Sequence, residues 1–129
     1  MTKTKAIISF LFVSLLMTSC DPVHTIHLDN ETGKAITVIY KPLINIAPVG
    51  SKIETITINK IQFAQVILDS GQQMEIGEVT ARYTPNETDI SLDYLETISG
   101  SDTIKLVGKK AIFNFIQKVE KLDWRLIIK

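Results

Sequence analysis

The chain has 129 residues with 14 basic and 14 acidic side chains, so it carries no formal net charge at pH 7. This length predicts a single domain whose core needs no disulfides. A balanced chain without a basic run lacks the electrostatic footprint of a nucleic-acid-binding protein. Nucleic acid is therefore excluded from the expected partners.

The first twenty residues have the organisation of an export signal. Lys3 and Lys5 precede a mostly apolar run over residues 6–16, which is typical of a signal sequence and short for a helix crossing a bilayer core of roughly 30 Å. Met17-Thr18-Ser19-Cys20 follows at once. We predict a signal segment over residues 1–19, which leaves a mature part with 12 basic and 14 acidic side chains.

The Met17-Thr18-Ser19-Cys20 segment resembles the lipobox of bacterial lipoproteins, in which an aliphatic and two small residues precede a cysteine. That family usually has Leu first and Gly or Ala before the cysteine, so Met17 and Ser19 depart from it. The resemblance implies cleavage between Ser19 and Cys20, a diacylglyceryl thioether on Cys20 and usually an acyl chain such as palmitate on its amino group. Two acyl chains give stable membrane anchoring.

Cys20 is the only cysteine of the chain, so it has no partner for an intramolecular disulfide. Small exported proteins usually pair their cysteines, whereas a lipid thioether would occupy this one. We therefore expect an envelope protein that is lipid-anchored to the inner or outer membrane and faces the periplasm. Residues 20–24 are expected to form the lipidated cysteine and a short tether, and residues 25–129 a single β-rich domain.

The mature part shows mostly strand signals: Ile, Val, Thr and Tyr alternate with polar residues between Gly, Pro and Asn. Strands are predicted at residues 25–29, 35–41, 53–58, 61–68, 73–83, 90–98, 103–107 and 124–128. The first two flank the segment 30–34, which predicts a hairpin with a positive φ at Gly33. Gly77 is expected near a bulge.

The segment Lys109–Lys121 has a different pattern, because Ile112, Phe115, Ile116 and Val119 recur at helical spacing. We predict a short amphipathic helix there, with a pair of strands as the competing interpretation. Phe113, Phe115 and Trp124 are expected in the core. If the helix exposed them instead, they would form a partner-binding or membrane-facing patch, with nearby lysines facing anionic lipid, namely Lys109, Lys110, Lys118 and Lys121.

These elements predict a mainly-β fold, an antiparallel β-sandwich of about seven strands with one short C-terminal helix. An α+β arrangement is the alternative, because a late helix is unusual in an immunoglobulin-like domain. The layout of the body is similar to small uncharacterised lipoproteins of the Bacteroidetes type. That resemblance implies no particular activity.

The sequence contains no constellation that indicates catalysis, a metal or a cofactor. His24 and His27 are three residues apart on a predicted strand, so they would point to opposite faces and are expected to be solvated. A Gly-x-Ser-x-Gly elbow is missing. The carboxylates that could in principle form a pair are expected on solvent faces, namely Glu75, Glu78, Asp89, Asp93 and Glu96. We predict that the chain is not an enzyme, with a small tethered hydrolase as a minor alternative.

Three short motifs suggest modification. Asp102-Thr103-Ile104 resembles the Asp-(Ser/Thr)-aliphatic motif at which exported Bacteroidetes proteins are O-glycosylated, which makes Thr103 a candidate site. The triplets beginning at Asn30 and Asn86 match the N-glycosylation pattern, a match expected by chance in a bacterium.

The expected function is that of a membrane-anchored, non-catalytic envelope lipoprotein that binds a protein or glycan partner or supports an assembly. The alternative is a periplasmic inhibitor or immunity lipoprotein that neutralises a hydrolase or toxin. The two readings share the same residue features, so the sequence does not separate them.

Overall fold

The computed structural model describes residues 23–80 and 84–129. Strands dominate this part of the chain, with one short helix and one 3-10 turn. The elements are β1 (Val23–Asn30), β2 (Ile36–Lys41), β3 (Glu54–Ile58), β4 (Ile61–Leu68), β5 (Gln73–Thr80), the 3-10 turn (Glu87–Asp89), β6 (Tyr94–Ser99), β7 (Asp102–Val107), α1 (Lys109–Phe113), β8 (Gln117–Glu120) and β9 (Asp123–Ile128).

The nine strands form a four-stranded sheet, in the order β5-β1-β9-β8, and a five-stranded sheet, in the order β3-β4-β2-β6-β7. Within the described residues, all strand pairs are antiparallel except β1 with β9, which run parallel. The predicted fold class, a mainly-β sandwich with one short helix, is confirmed. The strand count is nine instead of about seven.

The core forms because each strand places every second side chain inward. Ile26 and Leu28 of β1 and Val38 and Tyr40 of β2 are fully buried within one apolar cluster that draws on both sheets. Leu126 of β9 joins the same cluster. Burying β-branched and aliphatic side chains at this period is what holds the two layers together.

The predicted hairpin between the first two strands is wrong, because β1 and β2 belong to different sheets. Gly33 does have a positive φ of 77°, but the turn carries the chain from one sheet to the other. Asn30 fixes this crossing: its Nδ2 donates to the carbonyl oxygens of Lys34 at 2.7 Å and Leu68 at 2.9 Å. Because both strands have an apolar inner face, facing each other buries more surface than pairing edge to edge.

The bulge expected near Gly77 is present. The pairing of β1 with β5 shifts between Ile26 and His27, which leaves Ile76 as the extra residue of β5. Gly77 lies against the backbone of the next segment, where a Cβ atom would collide with the carbonyl oxygen of Asp89. A residue with a side chain is therefore excluded by contact at this position.

The predicted sixth strand begins at Tyr94 and not at Ile90. Ile90 bridges Gly77 of the four-stranded sheet, whereas the amide of Asp93 donates to the carbonyl of Lys41 in the five-stranded sheet, at 2.8 Å. Leu92, between them, is fully buried. The segment 90–93 thus crosses between the sheets, which explains why its apolar residues do not belong to a strand.

The segment Lys109–Lys121 contains both a short helix and a strand, so each of the two interpretations is correct for part of it. A helix spans Lys109–Phe113 only, and Gln117–Glu120 forms the edge strand β8 against β9. Ile112 is buried and Phe113 and Trp124 pack partly against the core, but the prediction of a core position is wrong for Phe115, which is 50% exposed. Residues 117–120 instead pair with the edge of β9, which satisfies backbone groups that a longer helix would leave open there.

Candidate functional site

Of the predicted lipidation and O-glycosylation sites, only the O-glycosylation site lies within the described residues. Ser19 and Cys20, the predicted cleavage and lipidation residues, lie outside the described residues. Thr103 is the second residue of β7, beside the β6–β7 turn, and its side chain is exposed. Across residues 23–80 and 84–129, no helix is long and apolar enough to cross a membrane.

The five candidate carboxylates are distributed over separate places. Glu75 and Glu78 lie on β5, and Glu96 lies on β6 in the other sheet. Asp89 is used structurally, because its Oδ2 accepts a hydrogen bond of 2.8 Å from the amide of Asn86. Asp93 is exposed ahead of β6. Among the described residues no group of three or more His, Cys, Asp or Glu side chains is placed to hold a metal ion.

The two histidines point to opposite faces of β1, as their spacing predicts. His24 shares the inward parity of Ile26 and Leu28, and it is half-buried where it was expected to be solvated. Its Nε2 is buried and has no hydrogen-bond partner in the part of the chain that the structure describes. His27 faces outward on the other side of the four-stranded sheet.

The outer face of the four-stranded sheet carries a charged cluster that we call the charged face: His27, Asp29, Glu75, Asp123 and Arg125. Arg125 is its centre, because Nη1 donates to Asp29 at 2.9 Å while Nε and Nη2 donate to Asp123 at 2.9 and 2.6 Å. Hydrogen bonding to Arg125 lowers the pKa of Asp123. The bidentate geometry fixes the guanidinium in place.

Two carboxylates show how tightly this face is packed. The Asp29 side chain is only 6% exposed, and its Oδ1 is buried without a hydrogen-bond partner within the described ranges. Burial also raises the pKa of Glu75, with a further contribution from the neighbouring Glu78, while His27 opposes the shift. The charged face is thus occupied by its own internal pairs.

The outer face of the five-stranded sheet is different, and we call it the outer apolar face. It consists of Ile39, Ile56, Phe63, Ile67, Tyr94 and Ile98, which the strand registers place on the side opposite to the core. Ile39 and Phe63 are 6% and 9% exposed although neither belongs to the core cluster. Ile39 lies between Gln65 and Glu96 in the register, so polar neighbours take part in covering the apolar side chains of this face.

Tyr94 is the polar member of the outer apolar face. Its ring lies against Phe63 with centroids 4.9 Å apart and planes tilted by 55°. Its hydroxyl donates to Glu96, and Lys105 Nζ lies 5.6 Å from the ring centroid. Burial and the Glu96 carboxylate raise the pKa of Tyr94 to about 12.

A shallow groove of about 340 Å³ opens beside this tyrosine, with Phe63, Lys105 and Val107 among its lining residues. The lining combines apolar side chains with Lys41, Lys105 and the carboxylate of Asp93, so the groove can accept an apolar side chain flanked by polar groups. Because Phe63 is nearly covered and Tyr94 is hydrogen-bonded, the face lacks an open aromatic plane.

Sequence reasoning missed the outer apolar face, although a signal for it exists. In β2 both Val38 and Ile39 are apolar, and in β4 the outward Phe63 and Ile67 accompany an apolar inward set. A strand that is apolar on both sides predicts burial of both faces.

Comparisons of the chain with models of known protein families, with curated proteins and with solved structures find no match. The class that the fold and its surfaces define is a small β-sandwich with one charged and one apolar outer face.

Proposed function

We propose that this chain is a non-catalytic, lipid-anchored binding module of a bacterial cell envelope, held by a lipid on Cys20. The observation that carries the binding role is the outer apolar face. On this face Ile67 is 50% exposed and Ile56 and Ile98 are partly exposed, and apolar side chains that cluster at a surface mark sites of association. The anchor is supported by the lipobox-like segment alone.

The chemistry of this face favours a protein partner over a glycan. Sugars pack their C–H faces on open aromatic rings, and here Phe63 is 9% exposed while Tyr94 is engaged by Glu96 and Lys105. Protein interfaces instead combine an apolar centre with a polar rim. Ile56 and Ile67, which are accessible on this face, supply the apolar part of such a surface.

The distribution of carboxylates supports the non-catalytic part of the proposal. Glycoside chemistry needs two carboxyl groups facing one bond at roughly 5–10 Å. Glu75 and Glu78 are neighbours on β5, whereas Glu96 lies on the outer face of the other sheet and Asp89 is held within the 3-10 turn. Most of the candidate carboxylates are therefore separated from one another, and only Glu75 and Glu78 share a strand.

The test is a quantitative pull-down from detergent-solubilised envelope with variants on each face. Ile56→Lys and Ile67→Lys each place a charge on the outer apolar face, and we expect them to abolish recovery of the partner. Glu78→Lys is the matched control, because it changes a charge on the exposed outer face of the other sheet. Circular dichroism confirms that each variant is folded.

Equal recovery of the same proteins by all variants would contradict a role for the outer apolar face. The identity of the partner also separates the two readings of function. If the partner is a hydrolase or toxin and deletion of this protein sensitises cells to it, the protein is an inhibitor or immunity protein. Mass spectrometry of the mature N-terminus tests the lipid on Cys20 separately, and Cys20→Ser should abolish processing and membrane retention.

A further inference from the structure

Exposed apolar side chains concentrate at one end of the sandwich. We call it the entry end, because β1 begins there. Its apolar members belong to five strands and two connecting segments, and each is at least 40% exposed: Val23, Leu43, Ile58, Ile61, Val107, Val119 and Leu122.

The strand registers place these residues together. In the four-stranded sheet, β9 runs parallel to β1 with Trp124 beside Ile26, so the β8–β9 turn at Leu122 lies level with the start of β1. In the five-stranded sheet, Ile58 pairs with Ile61 across the β3–β4 turn, and Val107 pairs with Tyr94. Asn30 and Leu68, joined by a hydrogen bond, define the opposite end for both sheets.

The entry end is also rich in lysine. Those at this end are Lys41, Lys60, Lys109, Lys110, Lys118 and Lys121. Exposed acidic residues here are Glu78, Glu87, Asp93 and Glu120, which are fewer than the lysines, and Asp123 is paired with Arg125. The opposite end has Lys34 and Lys129 against Glu31, Asp69 and Asp102. Basic charge therefore accompanies the exposed apolar side chains.

One groove combines both properties. It has a volume of about 690 Å³ and is lined by Lys41, Leu43, Lys60 and Ile61 among others. Two cations beside two apolar side chains match the junction between anionic headgroups and acyl chains in a lipid surface. A protein partner would not require apolar side chains spread over turns from both sheets.

We propose that the entry end lies against the membrane and contacts anionic phospholipid headgroups through its lysines, with Val23 and Leu122 at the acyl boundary. The proposal rests on the proposed lipid at Cys20, because three residues span at most about 10 Å between that anchor and Val23. Such a short link holds this end at the bilayer at high effective concentration.

The first experiment places an environment-sensitive fluorophore at either end of the lipidated protein. With the Cys20 thiol occupied, Leu122→Cys and Ser70→Cys each offer a single labelling site. Ser70 is the matched control, because the neighbouring Gly71 donates to the carbonyl of Asn30, seven residues or roughly 23 Å along β1 from Val23. In vesicles containing phosphatidylglycerol we expect a blue shift and quenching by nitroxide lipid at position 122 only.

Equal emission and quenching at both positions would overturn the proposal. If mass spectrometry finds no lipid on Cys20, the proposed anchor fails separately. Emission and quenching of the fluorophore at positions 122 and 70 are then measured in a Cys20→Ser protein that is held on nickel-chelating vesicles by an N-terminal histidine tag. Contact by position 122 in that form supports the entry end independently of lipidation, and its absence rejects it.

A second experiment tests the charge. In the unlipidated Cys20→Ser protein, neutralising Lys60 and Lys121 to Gln should weaken binding to phosphatidylglycerol vesicles by about fivefold per lysine. The matched variant changes Lys34 and Lys129, at the opposite end, and should bind as the parent does. A loss of equal size in both double variants would show attraction by total charge alone and would contradict a contact at the entry end.

Discussion

The outer faces of the two sheets differ in chemistry, because one carries ion pairs and the other carries aliphatic and aromatic side chains. On the four-stranded sheet, the outward positions hold charges that are paired within the face, with Arg125 between Asp29 and Asp123. On the five-stranded sheet, the outward positions hold Ile39 and Phe63, which are buried by their neighbours without joining the core. Arg125 has carboxylate partners within the charged face, whereas Ile67 on the apolar face is half exposed and would gain from further covering.

This difference indicates which surface a partner should use. Displacing an internal ion pair costs desolvation on both sides, so the charged face is a poor contact surface. Covering aliphatic side chains is favourable in proportion to the apolar area removed from water. Changes at buried or hydrogen-bonded side chains such as Asp29 and Tyr94 should therefore affect stability, and changes at exposed aliphatic positions such as Ile67 should mainly affect association.

The largest effect on stability is expected from Asp29→Asn. The substitution keeps the shape but removes the buried charge that accepts from Arg125, and it should lower the free energy of unfolding by about 2 kcal/mol. Urea denaturation measures it. Glu54→Gln is the control, because it breaks the exposed pair with Lys52 and should leave the urea midpoint unchanged. Equal effects would mean that burial gives the Asp29 pair no advantage.

Tyr94→Phe should be the next largest change, at about 1 kcal/mol at neutral pH, because it removes the hydrogen bond to Glu96. The raised pKa of Tyr94 gives a second readout. Its stabilising contribution is complete below its ordinary value of 10.0 and is lost as pH rises through about 12. The parent should therefore lose stability over this window more steeply than Tyr94→Phe. Identical alkaline profiles would contradict the assignment.

Glu75→Gln should stabilise the protein slightly at neutral pH, by about 0.5 kcal/mol. Since burial raises the pKa of Glu75, the folded state favours the neutral carboxyl, and this contribution is lost as pH rises above the ordinary value of 4.5. The gain of the variant should consequently disappear below that pH. Thermal unfolding at pH 3.5 and pH 7 compares the two conditions. A gain of equal size at both would exclude ionisation as its cause.

The smallest effect on stability is expected on the apolar face itself. Ile67 is 50% exposed, so Ile67→Thr should change the free energy of unfolding by less than about 0.5 kcal/mol. The same change should raise solubility in ammonium sulfate, because it reduces the apolar surface available for association. A large destabilisation without a gain in solubility would place Ile67 in the fold and not on an interaction surface.

The local periodicity of the strands could be predicted from the sequence, but the partners of each strand could not. The alternation in β1 and β2 identifies both strands correctly, and Gly33 has the expected positive φ. Their assignment to different sheets depends on Asn30, whose side chain reaches Leu68, 38 residues away. A contact of that separation leaves no signal in the intervening residues.

The two Asn-Glu-Thr triplets, which begin at Asn30 and Asn86, show that the sequence also does not predict the burial of a single side chain. Asn30 and Asn86 each accept a hydrogen bond from the amide of the Thr two positions on, at 3.0 and 2.9 Å. Asn30 is fully buried between the sheets, whereas Asn86 caps an exposed 3-10 turn. Local chemistry therefore predicts the turn, and only the tertiary structure decides whether the Asn side chain is accessible. By contrast, the alternation in β4 alone predicts apolar side chains on the outer side of the five-stranded sheet, because Phe63 and Ile67 are apolar there.

The parallel pairing of β1 with β9 has a consequence for biogenesis. β1 lies between β5 and β9, and Asn30 pairs with Ile128, so the four-stranded sheet cannot close until residue 128 has been synthesised. Contacts between residues this far apart in sequence form slowly. For the export that we propose, late closure keeps the polypeptide unfolded while it is threaded through a translocation channel. The strand nearest the proposed anchor would complete its sheet only after the last strand has emerged on the other side.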